Sequence, residues 1–209
     1  LTLARRIHEA DAYVRSGEWK RFQPGVWDGV ELRGKTWGIV GYGKIGRAVG
    51  DRARAFGAQV IAYDPAAESL PEYRPLEKLL AEAEIVSIHV PLLPATRGLF
   101  DEKRLRAMKR GALLVNISRG PVVVEDALAR LLSEGHLAGA ALDVFEKEPQ
   151  VHPDLIQMKN VVLTPHIGGG TRESRKRARL LCAENVARVL TGKEPITPVN
   201  RPVTAIDDA

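Results

Sequence analysis

The chain has 209 residues, 44% of them apolar, a formal net charge of +5 and an isoelectric point near 9.5. That is enough for one full core with a small appendage, while no apolar run approaches the roughly 18 residues of a membrane span and the N-terminus lacks a secretory pattern. The single cysteine, Cys182, excludes an internal disulfide. A reducing, cytoplasmic setting is expected, with Cys182 buried in a helix.

Trp19, Trp27 and Trp37 are expected to be packing anchors in the segment that leads into the fold. From Gly34 to Pro65 the chain predicts one βαβ unit. Trp37 to Val40 is an apolar strand, Gly41-Tyr42-Gly43-Lys44-Ile45-Gly46 supplies GxGxxG, and Ile45, Val49, Ala53 and Phe56 recur at helical spacing before Gly57. Gln59 to Tyr63 is the second strand. Gly41 permits a tight turn, Gly43 lets backbone approach a pyrophosphate and Gly46 lets the helix pack close to the sheet. The helix N-terminus then offers free N–H groups and a positive dipole end, so the anion needs no basic side chain. Asp64 follows the second strand, 18 residues after Gly46, where a carboxylate accepts hydrogen bonds from ribose hydroxyls. The pattern is a dinucleotide-binding fingerprint that favours NAD over NADP. A 2′-phosphate would be repelled by Asp64, and Ala66 and Ala67 offer no compensating arginine.

Further elements alternate. A proline-punctuated loop, Pro65 to Pro75, leads to a short helix at Leu76 to Ala83 and a buried strand at Ile85 to Val90. Asp101 caps a helix through Met108, with Gly111 beyond it, and Ala112 to Ile117 is the next strand. Glu125 to Ser133 is helical, Leu137 to Val144 is a small-residue strand, and Val161 to Thr164 is the last strand. Alternation of this kind predicts an α/β fold, a Rossmann-type doubly wound parallel sheet. Between Arg172 and Arg179 lie five basic residues and one acid. They open an amphipathic helix with Leu180, Leu181, Val186 and Leu190 as its buried face, which fits a solvated face or subunit contact better than a nucleic-acid site.

Ligands of such a sheet lie beyond the carboxyl ends of its strands. Three candidates follow strands there: Arg119 in VNISRGPVV, Asp143 and Glu148 in LDVFEKEP, and His166 in VVLTPHIGGGT. His89 is expected to be a satisfied core or cofactor-side residue, and His8, His136 and His152 to be structural or exposed. No spacing suggests a metal site.

With these motifs in order, from ELRGKTWGIVGYGKIG through VPLLPATRGLF to NVVLTPHIGGGT, the chain resembles the cofactor domain of the D-isomer-specific 2-hydroxyacid dehydrogenases, from about Leu3 to Asn200. It is similar to the glyoxylate and hydroxypyruvate reductase branch, a context that 2-ketogluconate reductases share. The resemblance implies that Arg119 binds the substrate carboxylate and carbonyl oxygen, that His166 is the general acid or base, and that Glu148 pairs with it and favours the imidazolium. It implies Asp143 on the nicotinamide carboxamide, backbone at Lys44 and Ile45 on the pyrophosphate, Asp64 on the ribose, and Pro91, Thr96 and Ser118 lining the cofactor cleft. A small 2-oxoacid or 2-hydroxyacid substrate, NAD(H) and a homodimer built through Leu1 to Trp37 are implied with them.

The same resemblance sets expectations for domain organisation. Residues 1–194 would form the dinucleotide-binding domain with its linker helix, and 195–209 would return toward a substrate domain, most of which would precede Leu1. Such a piece would bind cofactor with little turnover. A different class, an NAD-sensing corepressor-like interaction protein of the same fold, has the basic helix after Arg172 in its favour.

Overall fold

The computed structural model describes residues 1–199. The return segment 195–209 therefore lies, from residue 200 on, outside the described residues. The chain divides into two compact units, Leu1–His166 and the part from Ile167 onward, a division inside the span 1–194 expected to form one domain.

The first unit begins with α1 (Ile7–Arg15) and then alternates: β1 (Thr36–Val40), α2 (Lys44–Ala55), β2 (Gln59–Tyr63), α3 (Leu76–Glu82), β3 (Ile85–Ile88), α4 (Glu102–Ala107), β4 (Leu113–Asn116), α5 (Glu125–Ser133), β5 (Gly139–Leu142), α6 (Pro153–Gln157) and β6 (Val161–Leu163). Its six strands are all parallel and lie in the order β2-β1-β3-β4-β5-β6. The order reverses between β1 and β3, so the crevice of this Rossmann-like sheet opens beyond their carboxyl ends.

Each sheet face finds a different cover because alternate strand residues point to opposite sides. Val40, Val86, Ile88 and Leu114 pack in one cluster with Leu79 and Leu80 of α3, Leu105 of α4 and Leu128 and Leu131 of α5. On the other side Ile39 and Ala62 form a second cluster, and Ile85 and Leu113 meet Ala4 and Leu32 of the N-terminal segment. Full burial of one leucine in the larger cluster contributes about 2–3 kcal/mol. The Asp101 carboxylate caps α4 by accepting from the Arg104 amide at 2.8 Å, which fixes the helix start that its sequence predicted.

Several expectations are corrected. In α2 the buried residues are Gly46, Gly50 and Ala53, while Ile45 is 63% and Phe56 51% exposed. The helix lies close to the sheet on a seam of Gly46, Gly50 and Ala53, with Val49 packed beside it against the Ile39 and Ala62 cluster. The strand expected at Ile85 to Val90 leaves the ladder after Ile88, although the His89 amide still bonds Val40 O at 2.7 Å. Val90 is apolar because it packs against the main cluster, not because it pairs. The short helix α6 carried no periodicity long enough to be seen.

The second unit contains α7 (Arg172–Leu190), capped by the Thr171 hydroxyl, which accepts from the Ser174 amide. No residue of α7 is buried: Leu180, Leu181, Val186 and Leu190 are exposed, and so is Cys182. Helical periodicity shows which face can be buried, not that this unit holds another element to bury it. Trp19 is likewise exposed, whereas Trp27 stacks against Tyr13 at 5.1 Å and the Trp37 indole donates to the Ser87 hydroxyl at 2.9 Å. Among the described residues no helix is long and apolar enough to cross a membrane, and no group of three potential ligands could hold a metal ion.

Candidate active site

The strand register aligns the site. Tyr63, Val40, Ile88, Asn116, Leu142 and Leu163 form one continuous row across the sheet, each paired with its neighbour. One residue further along are Asp64, Gly41, His89, Asp143 and Thr164, and three residues beyond the row are Arg119 and His166. Residues more than a hundred positions apart thus reach one edge because parallel strands end together.

At the crevice, the three glycines do different work. Gly41 has φ 94°, and a Cβ there would lie 2.7 Å from the carbonyl carbon of His89, so β1 and β3 can approach only without a side chain. A Cβ on Gly46 would collide with Gly41 O. Gly43 meets nothing within 4 Å, which leaves open space at the N-cap of α2. No side chain caps that helix and no acidic residue lies in its first turn, so its N–H groups face outward unpaired by protein carboxylates. These are the properties a pyrophosphate needs.

Asp64 is held from two sides. One carboxylate oxygen accepts from the Tyr42 amide at 2.8 Å and the other from the Ala66 amide at 2.9 Å. Both bonds come from backbone, so the acid is fixed relative to the glycine turn while each oxygen keeps a lone pair for another donor. The remaining acceptor positions fit a dinucleotide with free ribose hydroxyls.

Two loops lining this edge are closed by their own side chains. The Thr96 hydroxyl donates to Pro91 O at 2.6 Å and accepts from the Leu93 amide at 2.8 Å. Ser118 is buried, and its amide and hydroxyl both donate to the Asn116 side-chain oxygen, while the Asn116 amide group donates to Arg119 O at 3.1 Å. Thr96 and Ser118 thus organise the loops in which the sequence placed them. Arg119 is exposed, with a guanidinium N–H donating to Ser118 O at 2.7 Å.

His166 and Glu148 meet. The imidazole Nδ1 lies 3.0 Å from Glu148 Oε2, and the other Glu148 oxygen accepts from the Phe145 amide at 3.0 Å. First the His166 bond and then the Phe145 amide hold the Glu148 carboxyl below the usual carboxylate range, so it stays ionised as the imidazole's partner. The His166 backbone has φ 53°, a left-handed conformation unfavourable for a side chain with Cβ and concentrated at functional positions. Its amide donates to Thr164 O at 3.0 Å across Pro165, which turns the ring toward Glu148. A cavity of about 300 Å³, lined by Phe145, Val151, Leu163 and Pro165 among others, adjoins this pair.

Two residues of the edge escaped the sequence reading. Thr164 donates its hydroxyl to the buried Asp143 carboxylate, and Asn116 ties the Ser118–Arg119 turn together. Their signal was only positional, a hydroxyl and an amide at strand ends, with partners partly remote in sequence. Of the other histidines, His8 bonds Lys159 O, His136 bonds Met108 O and His152 caps α6. His89 is not fully satisfied: Nε2 lies 3.0 Å from the Ser87 hydroxyl, but Nδ1 is buried without a partner among the described residues, and burial lowers its pKa to about 4.

The fold and edge define a dinucleotide-binding Rossmann domain. Residues 1–168 match the D-isomer specific 2-hydroxyacid dehydrogenase family, NAD binding domain; the chain belongs to that family, and NAD is the cofactor of this domain. It is 47% identical over 213 residues to the glyoxylate reductase of Thermococcus litoralis, covering 97% of this chain and 64% of that protein. The chain thus spans just under two thirds of that relative's length. Among solved structures, the TT0316 protein of Thermus thermophilus superposes with a TM-score of 0.92 at 46% identity, covering 96% of this chain and 65% of the other. The NAD-complexed D-isomer specific 2-hydroxyacid dehydrogenase of Lactobacillus delbrueckii subspecies bulgaricus gives 0.81 at 33% identity, over 95% and 66%.

Proposed function

We propose that the chain serves an NAD(H)-dependent reductase that interconverts a small 2-oxoacid, glyoxylate or hydroxypyruvate in kind, with its D-2-hydroxyacid. The observation that carries this reading is the Glu148–His166 pair at 3.0 Å beyond the same strand row that ends at Gly41 and Asp64. The resemblance to glyoxylate reductases supports the substrate class.

Bound NAD(H) supplies the hydride. Around it, the outward N–H groups of α2 at Lys44 and Ile45 hold the pyrophosphate, Asp64 accepts from the ribose hydroxyls, and Asp143, braced by Thr164, orients the carboxamide. Pro91, Thr96 and Ser118 shape the cleft wall. Arg119, with its guanidinium exposed, binds the substrate carboxylate and polarises the carbonyl. His166, its Nδ1 held by Glu148, delivers a proton to the carbonyl oxygen during reduction and recovers it in the reverse direction. A homodimer formed through Leu1 to Trp37 completes the proposal, supported by Trp19 at 55% and Phe22 at 82% exposure; sedimentation velocity reads it directly.

Calorimetric titration of the chain with NADH and NADPH, paired with steady-state reduction of glyoxylate and hydroxypyruvate by the whole enzyme, tests the reading. Saturable binding with NADH preferred, together with turnover of either acid, is expected. NADPH preference sinks the Asp64 assignment, and absence of turnover with any 2-oxoacid sinks the reaction.

A further inference from the structure

Behind the acid–base pair lies a buried carboxylate that the reaction does not use. Glu125, the first residue of α5, is 7% exposed. Its Oε1 accepts from the Glu146 amide at 2.6 Å, and in return the Glu125 amide donates to Glu146 Oε2 at 3.3 Å. The two residues are bound reciprocally across 21 positions of chain. Burial, ahead of the neighbouring Glu146 carboxylate, raises the Glu125 pKa; the amides of Glu146 and His152 and the His152 side chain oppose that shift.

The position of this lock matters because Glu146 follows Phe145. Two successive amides point to two different carboxylates: Phe145 N–H to Glu148, and Glu146 N–H to Glu125. Glu148 therefore sits in a turn, closed by the Gln150 amide on Lys147 O at 2.9 Å, whose entry is pinned by Glu125. A second contact joins the same segments. A Cβ on Gly120 would collide with the Phe145 carbonyl, so the chain after Arg119 presses directly on the loop that presents Glu148. The segment 119–125 carries the substrate-binding arginine at one end and the lock at the other.

We infer that Glu125 is a positioning residue: by accepting the Glu146 amide it holds the loop after β5 in the register that sets Glu148 against His166. The inference rests on the reading of Glu148 and His166 as the acid–base pair. The competing account is that Glu125 only begins α5, as acids near helix N-termini commonly do. Such a residue would affect stability and leave the imidazole alone.

The test separates the two. The His166 ring resonances are read by NMR in wild type, Glu125→Ala, Glu125→Gln and Glu146→Ala, and kcat and KM are measured for the same set in the whole enzyme. With the lock broken, Glu125→Ala should shift the His166 ring resonances, because Glu148 is no longer held at contact with Nδ1. It should also lower kcat about tenfold, with KM and the NADH dissociation constant within about twofold. Glu125→Gln keeps an oxygen that accepts the Glu146 amide and should restore most of both. Glu146→Ala leaves the Glu125 acceptor in place, removes only the longer bond and should have a smaller effect in the same direction, which also guards against a Glu125→Ala protein that fails to fold. Unmoved His166 ring resonances in folded Glu125→Ala, or Glu125→Gln as damaging as Glu125→Ala, overturn the inference. Glu148→Gln distinguishes the underlying reading: if it leaves kcat unchanged the acid–base assignment fails, while the NMR arm still decides whether Glu125 positions Glu148.

Discussion

The glycine turn after β1 and the proposed catalytic corner of Arg119, Glu148 and His166 lie beyond the same row of strand ends but are built in opposite ways. The turn works through what is missing: no Cβ at Gly41 or Gly46, open space at Gly43 and an uncapped helix start. The corner works through side chains, each held by a backbone contact, as Glu148 is by Phe145 and Arg119 by its bond to Ser118 O. A backbone site tolerates almost any residue between its glycines but no added carbon. A side-chain site fails when one functional group is lost, whatever happens to the fold.

The largest expected effect breaks the corner and spares the turn. Replacing His166 by alanine should lower kcat about a thousandfold, in the range for loss of a positioned general acid, with NADH affinity within about twofold by calorimetry. A comparable loss of NADH binding would show that the two regions are not separate. Within the turn, two alanines should diverge. Gly46→Ala drives a carbon into Gly41 O, so backbone must move, and it should cost about 2–3 kcal/mol by urea unfolding as well as NADH binding. Gly43→Ala meets no atom of the described residues within 4 Å and should leave the urea midpoint within error while weakening NADH, since the proposed binding mode puts the ligand in that space. Equal destabilisation by both would refute the division of labour among the glycines. Asp64→Ala should raise the NADH dissociation constant roughly tenfold, the worth of about one charged hydrogen bond, and narrow the gap to NADPH.

The same contrast decides what could be read from the sequence. The turn was legible because glycine spacing, strand, helix and acid follow one another within a single βαβ unit, and local geometry dictates them. The corner's three principal side chains are proposed from motifs, whereas the contacts around them had no motif to announce them. Thr164 reaches Asp143 and Glu125 reaches Glu146 only because β4, β5 and β6 lie side by side, and no local pattern encodes that pairing. Exposure was misjudged wherever burial depends on another element. Of the residues at helical spacing from Ile45 to Phe56, Ala53 is buried while Ile45 and Phe56 are exposed. Leu180, Leu181 and Cys182 lie on a helix with no buried residue. Apolar spacing identifies a face, and only packing decides whether it is covered.

His89 joins the two regions and gives the smallest effect. Its backbone abuts Gly41, while its ring shares the Ser87 hydroxyl with the Trp37 indole and leaves Nδ1 without a partner among the described residues. Burial lowers its pKa from 6.5 to about 4 in the folded chain. The sign follows from proton uptake. Above pH 6.5 the ring is neutral folded and unfolded, and His89 adds no pH dependence. Between 6.5 and about 4 the unfolded chain binds a proton that the folded chain refuses, so stability falls as pH falls through that window. From about pH 7.5 to about pH 5.5 the loss should be about 1 kcal/mol, read as the difference in urea-unfolding free energy between wild type and His89→Gln at the two pH values. Glutamine does not titrate, so its unfolding free energy should lack this component. Parallel curves for the two proteins would mean that His89 is hydrated, and that the crevice between β1 and β3 admits water to the strand ends.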